Sequence, residues 1–349
     1  MKTTAIICEF NPLHSGHKRL IDYAKTVSDK VVCIMSGNFT QRGMPACCDK
    51  YSRAKHALLA GADLVVELPT VFAVASAENF AFGGVKIARE LGADCLLFGS
   101  ECGDIDMLRD CAEKLLLDEV NSRIAAETKK GVTYPKAVAN ALGSAILDKP
   151  NNVLAIEYIK AIIKSNLPIT PLTIKREDNF NGAPLEFASS GALRANAELR
   201  SIYTYDYVTK DIDDDVERKY GEVAASILAL KTVDDMREIE GVSEGLENRL
   251  FAADKSKGLE YLLEQIKTKR YTRMRLQRLV LNTVLNVTKN NVKSGKKGEI
   301  EINALAVKNA SASLLALTIG YIGELTKRAD RLYYSISSAT PPLKLVKVD

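Results

Sequence analysis

The stretch Thr4-Ala5-Ile6-Ile7-Cys8-Glu9-Phe10-Asn11-Pro12-Leu13-His14-Ser15-Gly16-His17-Lys18-Arg19-Leu20 decides how the rest of the chain is read. Ala5 to Cys8 is a short apolar run with the pattern of a buried strand. Asn11-Pro12 breaks that strand. A helical pattern then opens, with Leu20, Ile21 and Ala24 on one face. His14 and His17 therefore sit where a strand turns into a helix N-terminus, a place whose free N–H groups and dipole favour phosphate. Gly16 removes the side chain that would hold a ligand away from the backbone. The spacing of the two histidines lets both imidazoles face one side of the first turn. Two of the chain's three histidines fall here.

The same alternation continues outward from this stretch. Val31–Met35, Ala62–Leu68 and Ala93–Gly99 read as strands, and His17–Ser28, Tyr51–Ala60 and Ala77–Leu91 as helices. This order predicts an α/β fold built on a doubly wound parallel sheet, with its ligands at the carboxyl ends of the strands. Those ends carry Asn11–His17, Ser36–Arg42, Glu67–Thr70 and Gly99–Glu101. The polar loop Ser36–Pro45, with Lys50 and Arg53 on the next helix, suits an anionic ligand. Residues 104–165 read as helical, with Pro150-Asn151-Asn152 as a turn before an apolar helix. Pro168–Ile174 reads as a further strand that ends at Lys175-Arg176. Phe187 to Arg194 leads into a helix with Ser189 or Ser190 as its N-cap.

Length and composition bound the rest. A chain of 349 residues is long for one core, and two domains are expected, 1–200 for the sheet and 201–349 for a mostly helical unit. Apolar residues make up 46% and charged residues 26%, an ordinary soluble balance. No apolar run has the length of a membrane span, and Glu9 interrupts the first one, so no membrane role and a cytoplasmic location are expected. Seven cysteines without a C-x-x-C pair argue against a disulfide framework and a zinc site; no protein-held metal is expected, and Cys8, Cys33 and Cys95 read as small core residues. Asp211 to Glu217 is an acidic run expected in a solvated loop or helix start. From Lys267 to Lys297 there are ten Lys or Arg and no Asp or Glu. Within it Leu276, Leu279, Val280 and Val284 are expected to face a core, with Arg270, Arg273, Arg275 and Arg278 outward and Tyr271 free to stack on a base. That is the footprint of a phosphate-backbone contact and favours RNA as the partner. The last fifty or so residues offer no readable chemistry.

His14-Ser15-Gly16-His17 resembles the signature of the HIGH-type nucleotidyltransferases, in which the two histidines hold ATP phosphates and stabilise charge on the α-phosphate. Ser189, Ser190 and Arg194 stand in the frame of that superfamily's late Ser-Ser/Ala-Thr-x-x-Arg element, with Gly191 where it usually has threonine, so one hydroxyl contact is lost. Cys8 to His17, Ser36 to Gly43, Gly61 to Pro69, Phe98 to Glu101, Pro150 to Leu154 and Lys269 to Arg273, in order, look like the bacterial tRNA(Met) cytidine acetate ligase family. The resemblance implies that ATP adenylates acetate and that the acetyl group passes to N4 of the wobble cytidine of elongator tRNA(Met). It implies catalytic roles for His14 and His17, and ATP contacts along Ile7 to Leu20 and at Gly99, Asn151, Asn152, Arg176, Ser189, Ser190 and Arg194. It implies tRNA contacts at Lys269, Arg270, Tyr271, Arg273, Arg275 and Arg278. Mg2+ is expected with ATP, held by phosphates and water rather than by carboxylates. Two alternatives stay open at this point: a small-molecule carboxylate adenylyltransferase, for which the sheet domain suffices, and an RNA-binding protein with a vestigial nucleotide site.

Overall fold

The structure, a computed structural model, describes residues 1–132, 134–176, 188–243, 245–268, 271–318, 320, 322–342 and 345–349. Its seven strands are β1 (Thr3–Cys8), β2 (Lys30–Ser36), β3 (Leu64–Leu68), β4 (Cys95–Ser100), β5 (Thr170–Lys175), β6 (Asn303–Lys308) and β7 (Val346–Val348). They lie in one sheet in the order β5-β4-β1-β2-β3-β6-β7. β5, β4, β1, β2 and β3 are mutually parallel, as the alternation predicts. β6 joins β3 antiparallel and carries β7 with it. Two strands from the last fifty residues therefore rejoin the sheet, while the helix Glu324–Ile336 between them packs on the helical part.

Alternate residues of the central strands bury on opposite faces. Ala5, Ile7, Val32 and Ile34 pack with Phe80, Val85, Ile156 and Ile159, which come from the helices Ala77–Glu90 and Pro150–Lys164. Ile6, Val31, Cys33 and Met35 pack with Ile21 and Ala24 of helix α1 (Ser15–Val27) and Ala57 and Leu58 of helix α2 (Lys50–Leu59). A third cluster holds the helical part together around Tyr220, Leu276, Leu279, Val280 and Tyr333. Phe39, from the loop after β2, plugs into it, with ring centroids 5.8 Å from Tyr220 and 6.2 Å from Tyr333. The sheet loops and the helices thus share a core.

The two cations expected to meet an anionic ligand do something else. Lys50 and Arg53 are both fully buried. Lys50 Nζ donates to both Glu67 oxygens at 2.9 Å and to Asp330 Oδ2 at 2.6 Å. Burial alone would lower its pKa, but the two carboxylates hold the ammonium charged. Arg53 Nε donates to the Cys48 carbonyl at 3.0 Å, and Nη1 to the Glu9 and Ser36 carbonyls at 2.6 and 3.2 Å. Nη2 donates to the Gly37 carbonyl. Lys50 is spent on two carboxylates and Arg53 on four main-chain carbonyls. Arg53→Met should therefore lower unfolding stability by about 3 kcal/mol or more, because buried carbonyls lose their donor. Arg53→Lys should recover little, since one ammonium cannot replace the fork. Denaturant midpoints measure both, and an unaffected Arg53→Met midpoint would contradict this role.

Candidate active site

β1 ends at Cys8, and the chain turns sharply before α1 begins. Phe10 takes a left-handed φ of +46°, a cost of about 1–3 kcal/mol for a bulky residue. Its ring is buried and meets the His17 ring edge-on at 5.0 Å. The Asn11-Pro12 peptide is cis. Asn11 Oδ1 accepts the Cys47 N–H at 2.8 Å, and its carbonyl accepts Arg194 Nη1 at 2.7 Å. The helix starts at Ser15, two residues before the sequence reading put it, because His14 itself is the cap: its Nδ1 accepts the Gly16 N–H at 3.1 Å.

That bond fixes the His14 tautomer. With Nδ1 accepting, the ring proton lies on Nε2, which is buried and has no partner among the described residues. Ser15 Oγ and His17 Nδ1 are likewise buried without a partner. The two imidazoles stack with centroids 3.8 Å apart. Three unpaired polar atoms on one helix turn are costly unless a ligand meets them. Burial, reinforced by the Arg176 cation, pushes His14 down to about 4. Burial, then His14, then Arg176 hold His17 well below the ordinary range. Both rings are therefore neutral at pH 7.

The two imidazoles line a cleft of about 570 Å³ with Gly16, Arg19, Leu20, Gly99, Arg176 and Ser189. β1 connects toward β2 on one side and has β4 on the other, so the cleft opens at the point where the strand order reverses. Gly99 is the last residue but one of β4, and a Cβ there would lie 3.1 Å from Arg176 Cγ; the missing side chain lets the arginine stem cross. Arg176 follows β5, its N–H bonded to the Ser100 carbonyl at 2.8 Å. Ser189 caps the short helix Ser190–Ala195 by accepting the Ala192 N–H at 3.2 Å. Ile174, Lys175 and Ala188 complete the wall, residues the sequence reading passed over, although the first two end a strand whose tip was already marked. The donors here are imidazole, hydroxyl, guanidinium and backbone N–H, which suit an anion. Among the described residues no group of three or more His, Cys, Asp or Glu comes together as a metal ligand set.

Other residues expected at ATP lie elsewhere. Ile7, Phe10 and Leu13 turn their side chains into the core, so only their main chain is left for a ligand. Cys8 Sγ points to the Ile34 carbonyl at 3.8 Å, and Lys18 pairs with Asp22. Asn152 is spent on the protein: Oδ1 accepts the N–H groups of Glu101 and Cys102 at 3.0 and 3.2 Å, and Nδ2 donates to the Ile146 carbonyl at 3.1 Å. Glu101 in return accepts from the Asn151 side chain at 2.8 Å and the Asn152 N–H at 2.8 Å. The pair locks the turn after β4 to the start of a helix. Arg194 lies outside the cleft wall and reaches Asn11 and, at 3.5 Å, Glu217.

The basic segment is less open than its composition suggests. Lys269 and Arg270 lie outside the described residues. Leu276, Leu279 and Val280 are buried as expected. Arg273 is exposed, ion-paired with Glu260 and, at 3.5 Å, with Glu264. Tyr271 is buried, with the Arg275 guanidinium 4.6 Å from its ring centroid, so that ring face is not free for a base. Arg278 corrects the outward expectation: burial lowers its pKa to about 10, and Nη1 donates to the Gln41 carbonyl at 3.0 Å.

A fold with this switch-point site is that of a HIGH-class nucleotidyltransferase, and a sequence model described as HIGH Nucleotidyl Transferase matches residues 1–320. A tRNA(Met) cytidine acetate ligase of Thermoanaerobacter sp. (strain X514) is 38% identical over 317 residues, covering 83% of this chain and 79% of the relative. One of Clostridium perfringens is 35% identical over 349 residues, covering 90% and 86%. The crystal structure of Thermotoga maritima TmcAL bound with alpha-thio ATP superposes with a TM-score of 0.85 at 29% identity, covering 99% of this chain and 96% of that one. The chain belongs to the tRNA(Met) cytidine acetate ligase family of HIGH nucleotidyltransferases.

The depressed imidazoles make a pH prediction. Between the ordinary value of 6.5 and about 4 the unfolded chain binds a proton at His14 that the folded protein refuses. Stability should therefore fall as pH drops through that window, by up to about 3 kcal/mol from His14, with His17 adding in the same direction. His14→Asn, which keeps a good cap, should lose less stability on acidification. Urea midpoints at pH 7, 6 and 5 check this, and identical acid slopes would contradict it.

Proposed function

We propose that this chain activates acetate with ATP and transfers the acetyl group to N4 of the wobble cytidine of elongator tRNA(Met). The observation that carries the first half is the pair of buried imidazole nitrogens, His14 Nε2 and His17 Nδ1, which have no partner among the described residues and whose rings line one cleft with Arg176. The triphosphate lies across the start of α1. His14 Nε2–H and His17 meet phosphoryl oxygens, Arg176 supplies fixed positive charge, and Ser189 and Ser190 receive the far phosphates. Arg194 serves by holding the Asn11 carbonyl. Acetate attacks the α-phosphorus, the bond to the bridging oxygen breaks, and diphosphate leaves with both electrons. Neutral donors already aimed at the pentacovalent oxygens stabilise that state with no reorganisation. Mg2+ suits a site without a carboxylate cluster because the phosphates themselves hold it.

In the second half the cytidine amine attacks the acetyl carbonyl, AMP departs, and the amine loses a proton. Acetate alone is inert to an exocyclic amine; the mixed anhydride is not. The sites for the RNA are Arg273, Arg275 and Arg278, with Tyr271 supporting Arg275 and Lys269 and Arg270 adjoining them in sequence. The cytoplasm, where charged nucleotides and tRNA meet, is the compartment proposed; among the described residues no helix is long and apolar enough to cross a membrane.

The test is transfer of label from radioactive acetate to tRNA with Mg-ATP, followed by nuclease digestion. Label in N4-acetylcytidine supports the reading, and none in any nucleoside contradicts it. His17→Ala should reduce adenylation at least about 100-fold while tRNA affinity survives. Arg273→Ala with Arg275→Ala should weaken tRNA binding and lower the salt slope by about one to two, leaving adenylation intact. Filter binding across a salt series reads the latter.

A further inference from the structure

A second cavity, of about 540 Å³, lies behind the loop that carries His14. Arg42 and Met44 reach it from the loop after β2, Arg273, Met274 and Gln277 from the helix Arg273–Leu285, and Arg194 from the short helix Ser190–Ala195. Three guanidiniums converge on it. Arg194 is partly satisfied by Asn11 and Glu217, and Arg273 by Glu260 and Glu264. Arg42 is exposed and has no hydrogen bond or ion pair among the described residues. An anion completes such a set. Between the cations stand two thioethers, soft and polarisable, and one primary amide that both donates and accepts. That combination fits the face and edge of a pyrimidine joined to phosphates.

The walls are held firmly. Gly43 sits at φ +81°, where a Cβ would lie 2.4 Å from the Arg278 backbone nitrogen. The loop bearing Arg42 thus presses directly on the helix bearing Arg273 and Gln277, and the Arg278–Gln41 bond pins the contact. The cavity adjoins the phosphate cleft, since Asn11 and Arg194 lie on its wall while His14 and Ser189 line the cleft.

We infer that this cavity seats the acceptor nucleotide: an unstacked pyrimidine lies between Met44 and Met274 against the Gln277 amide, and Arg42 and Arg273 take the RNA phosphates beside it. Single-stranded RNA is read by splayed bases with hydrogen-bonded edges and phosphates on cations; here two thioethers take the place of the usual aromatic rings. The inference rests on the reading above that the acceptor is a cytidine of tRNA.

The experiment uses the full chain with Arg42→Ala, Arg42→Lys and Gln277→Ala. It measures acetate-dependent pyrophosphate exchange without RNA, acetyl transfer to tRNA(Met), and fluorescence anisotropy of a synthetic anticodon stem-loop. Exchange and the acetate KM should stay within about twofold of the parent, because adenylation does not use this cavity. Transfer efficiency should fall at least about tenfold in Arg42→Ala and Gln277→Ala, and stem-loop affinity about fivefold in Arg42→Ala. Arg42→Lys should recover most of the loss, as a phosphate accepts a point charge. Normal transfer in both alanine variants overturns the assignment. A raised acetate KM in exchange also overturns it, giving the cavity to the acid. If the parent protein exchanges pyrophosphate but acetylates no tRNA, the functional reading fails instead, and the stem-loop affinities decide the cavity on their own.

Discussion

The buried guanidinium of Arg53 is the constraint from which both cavities follow. Carbonyls at the carboxyl ends of parallel strands have no ladder partner beyond the last pair. Here the carbonyls of Glu9, Ser36, Gly37 and Cys48 are drawn together on one planar fork. Burying that charge is costly unless its donors are used, and four carbonyls take four of the five N–H groups. The loop after β1 and the loop after β2 therefore leave the sheet in fixed directions. The first carries His14 to the cap of α1, and the second carries Phe39 and Arg42 to the helices. Lys50, one turn earlier on α2, extends the anchorage to Asp330 on the helix Glu324–Ile336.

The phosphate cleft works by withholding charge as much as by supplying it. Two cationic imidazoles stacked beside Arg176 would repel one another and the guanidinium. Burial keeps them neutral, so their N–H groups remain donors at no electrostatic penalty. Arg176, whose stem crosses Gly99, brings fixed positive charge, and Arg19 and Lys175 stand on the same wall. On the proposed reading, adenylation falls to groups at the ends of β1, β4 and β5, on the first turn of α1 and at the start of the helix Ser190–Ala195. The helical part contributes to the neighbouring cavity, and Arg194 lies where the two meet. Both half-reactions can share one reactive intermediate without sharing their binding groups.

Much of this was legible in the sequence because it is local. A buried strand, a breaking Asn11-Pro12 and a helix whose first turn carries His14 and His17 are patterns within seventeen residues. The parallel order β1 to β4 followed from simple alternation. What was illegible depends on distant partners. Nothing in the sequence shows that Lys50 and Arg53 are buried, since a cation at a strand end suits a ligand and a carbonyl cluster equally. β6 is a six-residue strand whose partner β3 lies over two hundred residues earlier, and no local period reveals an antiparallel addition. Arg278 turns inward because the Gly43 loop docks there, which its place on the helix does not disclose. Asn152 matched a ligand motif, yet its amide answers to Glu101 and Cys102.

The most direct measurement of the central claim is exchange of labelled pyrophosphate into ATP by the full chain in the absence of RNA. If the sheet loops alone form the adenylation site, acetate should drive exchange without tRNA, and omission of acetate should abolish it. Exchange that appears only when tRNA is added would mean that the helical half completes the site, and would contradict the division of the two cavities.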